Sequence, residues 1–255
     1  MSRSKPRTKR ADPPYVVPGE RAVTELLRAQ PQRVTRVVVQ QGRDFPAVRE
    51  LAAAAGRPVD VLDRRGLERL LDPALARGIV AVAESPLRAD VRDLLYPGDA
   101  SRRTTGGRRL LVALDGVLDP RNLGAIVRSA EFFGAAGVFY PRDRAATLSA
   151  AAVRASAGAS ERLAMACVPN LARALDECKD AGYWIVGTVV SGGRELASLV
   201  PELPEELVLV LGSEERGLRR LTEERCDFLA TIPGASEFAS LNVSCAAAVA
   251  LAGLA

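Results

Sequence analysis

At 255 residues, 48% hydrophobic and 26% charged, the chain has the composition of a globular protein and room for one large or two modest domains. Collagen, a long coiled coil, a wholly disordered chain and a helical membrane span of roughly 18 apolar residues are excluded. The net charge is +4, but residues 1–10 carry five Lys and Arg and no acid, which leaves the remainder at −1 and confines the basicity to one end.

In chain order, residues 1–14 read as a basic disordered tail, with no apolar stretch behind the cations to make a secretory signal. Such a tail either attracts a phosphate-rich partner or is a solvated end. A helical stripe of Ala22, Val23, Leu26 and Leu27 begins after Gly19. Val34–Gln40 is a β-branched strand, Ala47–Ala55 a helix closed by Gly56, and Val59–Leu62 a short strand. Leu67, Leu70 and Leu71 indicate another helix, and Ile79–Ala83 a final strand. Residues 15–84 thus make a small α/β unit with its own potential core. From 85 to 108 the pattern weakens, and YPGDASRRTTGGRR, rich in glycine and arginine, reads as a flexible linker.

A second alternation fills 109–255. Its elements are strand Leu110–Leu114, helix Asn122–Phe133, strand Val138–Tyr140, helix Leu171–Ala181, strands Trp184–Val190, Leu207–Leu211 and Leu229–Ile232, and an alanine-rich helix Ser240–Leu254. Unbroken apolar strands belong to a parallel sheet covered on both faces.

The absence of histidine removes every His base, His ligand and catalytic triad. Cys167, Cys178, Cys226 and Cys245 form no C-x-x-C pair, so zinc knuckles and thioredoxin-type sites drop out, and the thiols read as reduced side chains in a cytoplasm. Parallel sheets bind ligands beyond the carboxyl ends of their strands, and three such ends here are rich in turn and polar residues. In LDGVLDPRNLGAIVRSA, Asp119-Pro120 makes a turn and Asn122 can cap the helix. Leu123, Ile126, Val127, Ala130 and Phe133 make the buried stripe, with Arg128 opposite. An Arg there either grips a phosphate or carboxylate or is a solvated helix-face residue. LVLVLGSEERGL is neither a Walker loop nor a dinucleotide fingerprint, yet Gly212 and Gly217 admit close backbone approach. In TIPGASEFASLNVSCAAAVA, Ser240, Asn242 and Ser244 open a helix of small residues that can approach a cofactor or another helix.

Together, in this order, the three segments resemble the SpoU (TrmH) family of S-adenosylmethionine-dependent RNA ribose 2′-O-methyltransferases, within the SPOUT superfamily. The family's first motif, D-P-x-N-x-G-A-x-x-R-[ST]-A, is matched by Asp119, Pro120, Asn122, Gly124, Ala125, Arg128, Ser129 and Ala130. The second, G-N-E-x-x-G-L, is matched by Gly212, Glu214, Gly217 and Leu218, with Ser213 in place of Asn. The third, I-P-x-x-G-x-x-x-S-L-N-V-S, is matched by Ile232, Pro233 and Ser240 to Ser244, with Ser236 where Gly is usual. Ser156-Ala157-Gly158-Ala159 is also similar to the family's sequence. More weakly, residues 15–84 resemble the family's small RNA-binding domain, although two of its motifs lack their usual histidines.

The resemblance implies a parallel α/β domain with a deep C-terminal trefoil knot, an exception to the near absence of knots, and a homodimer with a shared active site. It implies that loops ending at Thr188, Gly212, Ile232 and Leu241 hold S-adenosylmethionine without a metal. It assigns catalysis to Arg128, as base or as charge-stabilising group, with Asn122 and Asn242 orienting the nucleotide and Glu214 bracing the site. The expected substrate is a 23S ribosomal RNA guanosine, with tRNA as the runner-up. DNA, lacking the 2′-hydroxyl, and membranes are not expected partners. A non-catalytic RNA-binding or ribosome-assembly protein is the reading from a different class.

Overall fold

The structure, a computed structural model, describes residues 15–84, 89–96, 102–235 and 240–255. The basic tail, Ser236 and parts of the 85–108 stretch lie outside the described residues.

The small unit runs β1 (Tyr15–Pro18), α1 (Glu20–Ala29), β2 (Val34–Gln40), α2 (Pro46–Ala54), β3 (Val59–Leu62), α3 (Arg64–Glu68), α4 (Pro73–Ala76) and β4 (Ile79–Ala83). Its sheet has the order β1-β4-β2-β3, and only β2 and β3 pair in parallel. The α1 stripe Ala22, Val23, Leu26 and Leu27 is buried, in one core with Val37, Val39 and Ile79. Two features depart from the sequence reading. β1, four residues ending in proline, holds only as an edge strand paired with β4. Where Leu67, Leu70 and Leu71 predict one helix, the chain makes two short ones. Asp72 caps α4 by accepting from Ala74 N at 2.8 Å, and Pro73 starts a new helix where it would break a continuing one.

The stretch expected as a flexible linker contains a docked helix, α5 (Val91–Leu95). An Asp90/Asp93 capping box starts it, and Val91, Leu94 and Leu95 are buried against the second sheet. Arg109, itself buried, donates to the carbonyls of Leu94 and, at 3.0 Å, Leu95. Removing a charged donor from buried carbonyls costs about 1–3 kcal/mol. Arg109→Leu is therefore expected to lower the urea midpoint by that amount of stability, with α5 amides exchanging first. An unchanged midpoint would mean that α5 holds by its apolar face alone.

The large unit continues with β5 (Arg109–Asp115), α6 (Pro120–Phe132), β6 (Gly137–Pro141), α7 (Ala150–Ala155), β7 (Met165–Val168) and α8 (Leu171–Asp180). It ends with β8 (Trp184–Thr188), β9 (Arg194–Glu195), α9 (Leu196–Leu199), β10 (Glu206–Gly212), α10 (Arg220–Glu223), β11 (Phe228–Thr231) and α11 (Val243–Leu254). Seven strands lie in the order β7-β6-β5-β10-β8-β11-β9, every neighbouring pair parallel. β5 is buried from end to end because both faces are covered. Leu110, Val112 and Leu114 share one core with residues of α6 and α11, while Leu111 and Ala113 share another with residues of α5 and α8. The predicted strand 184–190 ends at Thr188; Val189 N still donates to Ala230 O at 2.9 Å, and Val189 and Val190 line a cavity. No helix of the described residues is long and apolar enough to cross a membrane.

Candidate active site

All three polar strand ends come together at the carboxyl edge of the large sheet. α6 starts on Asp119, whose side chain accepts from Arg121 N at 2.8 Å, with Pro120 in the first turn. Asn122 is therefore not the cap. It sits in the first turn, and its amide is free to face another segment. Leu123, Ile126, Val127 and Ala130 form the buried stripe, while Phe133 is only partly buried. Arg128 is exposed and has no hydrogen bond or ion pair among the described residues.

β10 runs into Gly212 and then a tight loop. Ser213 N donates to Gly217 O at 3.0 Å, and Gly217 N donates back to Ser213 O at 2.9 Å. Ser213, standing for the family's Asn, also accepts at its Oγ from Arg216 N at 3.1 Å, so the turn keeps an internal brace. The loop is anchored at its far end by Asp115, a buried carboxylate ending β5 that accepts from Arg219 N at 2.8 Å and from Arg219 Nε. Asp115 escaped the sequence reading, although an acid closing an apolar strand before glycine was a signal.

The loop projects Glu214 to where α6 and α11 begin. Glu214 Oε1 accepts from Asn122 Nδ2 at 3.0 Å, from Asn242 Nδ2 and from Val243 N at 3.3 Å. Asn242 Nδ2 also reaches Asn122 Oδ1 at 3.2 Å. Asn242 caps α11, its Oδ1 accepting from Ser244 N at 2.9 Å and Ser244 Oγ at 2.6 Å. One residue from each motif thus joins a single charge-assisted cluster.

Beside it lies a cavity of about 430 Å³, in the range that takes a small ligand. Thr188, Gly212, Ile232 and Leu241 all line it, with Val190 and Ala246 among residues the sequence reading did not single out. The fit to a nucleoside cofactor rests on three observations. The walls are mainly apolar with main-chain polar groups, Leu241 and Val190 expose 51% and 65% of their surface, and the buried Thr231 Oγ1 has no partner among the described residues. Thr188 Oγ1 is already engaged, donating to Val210 O at 3.1 Å, so Thr188 offers the cavity its backbone and methyl group. Burial pushes the Cys178 and Cys226 thiols up to about 12, which keeps both neutral and poorly nucleophilic.

Family profiles match both units. The SpoU rRNA methylase family matches residues 109–252, and the RNA 2′-O-ribose methyltransferase substrate-binding family matches 16–88. The chain is 41% identical over 236 residues to the 23S rRNA (guanosine-2′-O-)-methyltransferase RlmB of Pseudomonas aeruginosa, covering 91% of this chain and 92% of that protein. It is 42% identical over 238 residues to RlmB of Coxiella burnetii, with the same coverages. Among solved structures, the SpoU methyltransferase AviRb of Streptomyces viridochromogenes in complex with AdoMet aligns with a TM-score of 0.76 at 25% identity, covering 95% of this chain and 89% of that one.

Proposed function

The chain belongs to the SpoU rRNA methylase family, and on that footing we propose that it methylates the ribose 2′-oxygen of a guanosine in 23S ribosomal RNA. The carrying observation is the Asn122–Glu214–Asn242 cluster formed beside one cavity. Likeness to RlmB proteins across nine-tenths of both chains supports ribosomal over transfer RNA as substrate.

When bound, S-adenosylmethionine supplies an electrophilic methyl group. Thr188, Gly212, Ile232 and Leu241 would hold it through apolar side chains and main-chain groups, with no metal needed. Glu214 already accepts from Asn122, Asn242 and a backbone N–H, so it acts as a brace. Asn122 keeps one amide hydrogen and one oxygen lone pair for the nucleotide, whereas the Asn242 amide, taken up by Glu214, Asn122 and Ser244, orients it by fixing Asn122. A ribose hydroxyl is a weak nucleophile until its proton leaves or its developing charge is stabilised. Arginine holds its proton tightly, so Arg128 fits best as the group that grips a phosphate and steadies the 2′-oxygen. DNA lacks the reacting hydroxyl and is not a substrate.

The enzyme works as a cytoplasmic homodimer. α6 and α11 pack together, and each leaves an apolar side chain outside, Phe132 and Val249, suited to covering by a second copy. The deep knot that the family resemblance implies belongs to this reading, and the C-terminal end is docked by Arg108 and Thr105 through the carbonyls of Leu254 and Ala255. The five cations of residues 1–10 add phosphate attraction.

Calorimetric titration tests the reading first: S-adenosylmethionine and its demethylated product are expected to bind and to raise the melting temperature by linkage. Ribose-methylation mapping with and without the gene is then expected to lose one 2′-O-methylguanosine from 23S ribosomal RNA. Loss from tRNA instead would move the substrate there, and no binding of either compound would leave a non-catalytic RNA-binding protein.

A further inference from the structure

The segment Ser156-Ala157-Gly158-Ala159 belongs neither to the cavity lining nor to the Asn122–Glu214–Asn242 cluster. It is wedged between the two domains. On one side, α6 approaches so closely at Gly124 that a Cβ there would meet Ala155 Cβ at 2.6 Å and Ser156 N at 2.9 Å. On the other, Gly158 lies against α1 with φ +93°, and a Cβ there would meet Glu25 Cβ at 2.8 Å and Ala22 Cα at 3.1 Å. Val153, just before this segment, is buried in the core of the small domain.

Two residues further on, Glu161 and Arg162 carry opposite charges in different surroundings. The side chain of Glu161 is 0% exposed and accepts from Arg33 Nη1 at 3.0 Å and Tyr15 OH at 2.8 Å, both from the small domain. Burial beside Glu161 pushes the Tyr15 phenol up, which keeps it a donor. Arg33 is completed by Gln30 Oε1 at 2.8 Å and by Glu84 O. Arg162, exposed, bridges Glu25 of α1 at 3.1 Å and Glu131 of α6 at 3.0 Å. Glu131 follows Arg128 by three residues, which places the two on neighbouring parts of the helix surface.

We propose that the Ser156–Arg162 turn is a clasp between the RNA-binding domain and the catalytic helix, with Glu161 and Arg162 as positioning residues for methyl transfer. This rests on the RNA methyltransferase reading above. An RNA long enough to touch both domains gains both sets of contacts at once, and so reaches Arg128 at low concentration, only if the offset between the domains is set. A buried ion pair adds little net stability once desolvation is counted, but breaking it by misplacement is costly. The Glu161–Arg33 contact therefore selects one docking, and the Arg162 bridge ties that docking to α6.

The test uses the full chain with two RNAs: a long 23S fragment that reaches both domains, and a short hairpin holding only the target nucleotide. Arg162→Glu places like charges against both Glu25 and Glu131. It is expected to raise KM for the fragment about tenfold, the scale of a typical coupling between sites, with kcat, hairpin KM and cofactor Kd unchanged. Adding Glu25→Arg is expected to recover most of the fragment KM. Equal losses on both RNAs, an unchanged fragment KM, or no recovery in the double variant would overturn the clasp. If the wild-type chain methylates neither RNA, the functional reading fails by itself, and hydrogen exchange decides the clasp. Faster exchange of α1 and of residues 158–162 in Arg162→Glu, with α11 unaffected, supports it, and unchanged exchange refutes it.

Discussion

Arg128→Ala is expected to slow single-turnover methyl transfer by about 10²-fold or more, the usual cost of one positioned charged group, while leaving S-adenosylmethionine affinity nearly intact. Arg128 is exposed on α6, outside the cavity lining, and makes no hydrogen bond or ion pair among the described residues. Its loss therefore leaves no buried group unpaired, and folding stability should change by no more than about 0.5 kcal/mol. Arg128→Lys should recover little, because an ammonium lacks the planar fork that holds a phosphate through two parallel bonds. The check is methyl transfer to RNA at saturating cofactor, beside a cofactor titration and a thermal melt. Transfer at near wild-type rate would place the active centre elsewhere, and loss of cofactor binding would make the residue structural.

Gly212→Ala should instead lower cofactor affinity and rate together. A Cβ at Gly212 would lie 2.6 Å from both Gly217 O and Leu218 N, backbone atoms that cannot swing aside as a side chain does. The 213–217 loop has to move, and it both lines the cavity and carries Glu214. Overpacking of this kind costs about 1–3 kcal/mol, which, charged against the bound state, weakens cofactor binding by roughly 5- to 150-fold. The Asn122–Glu214–Asn242 cluster loses its brace at the same time. Calorimetry and single-turnover transfer measure the two effects on one preparation, and circular dichroism confirms the fold. Wild-type affinity in this variant would show that the loop does not contact the cofactor. The contrast with Arg128→Ala separates binding from chemistry, since one change lies in the cavity wall and the other outside it.

Local sequence determined the parts whose residue pattern is complete within one element. Val34–Gln40, Val59–Leu62 and Ile79–Ala83 are strands within the bounds their β-branched runs indicate. The apolar stretches of β5 and β10 become central parallel strands because both of their faces must be covered. The α6 stripe and the exposure of Arg128 follow from helical periodicity alone. Spacing in the three polar segments likewise pointed to the sheet edge where ligands bind.

Only tertiary structure decided how those segments meet. Asn122 could as well have capped its own helix, and it became a partner of Glu214 because Asp119 took the cap and a loop 92 residues away arrived beside it. β1, β7 and α5 are too short to declare themselves, and each exists because a neighbouring strand or the pocket around Arg109 completes its hydrogen bonds and burial. The Glu161–Arg33 pair joins residues 128 positions apart in different domains. Periodicity describes which face of one element is apolar. It carries no information on which distant charge will be desolvated beside another, because that energy depends on contacts made only after the chain has closed on itself.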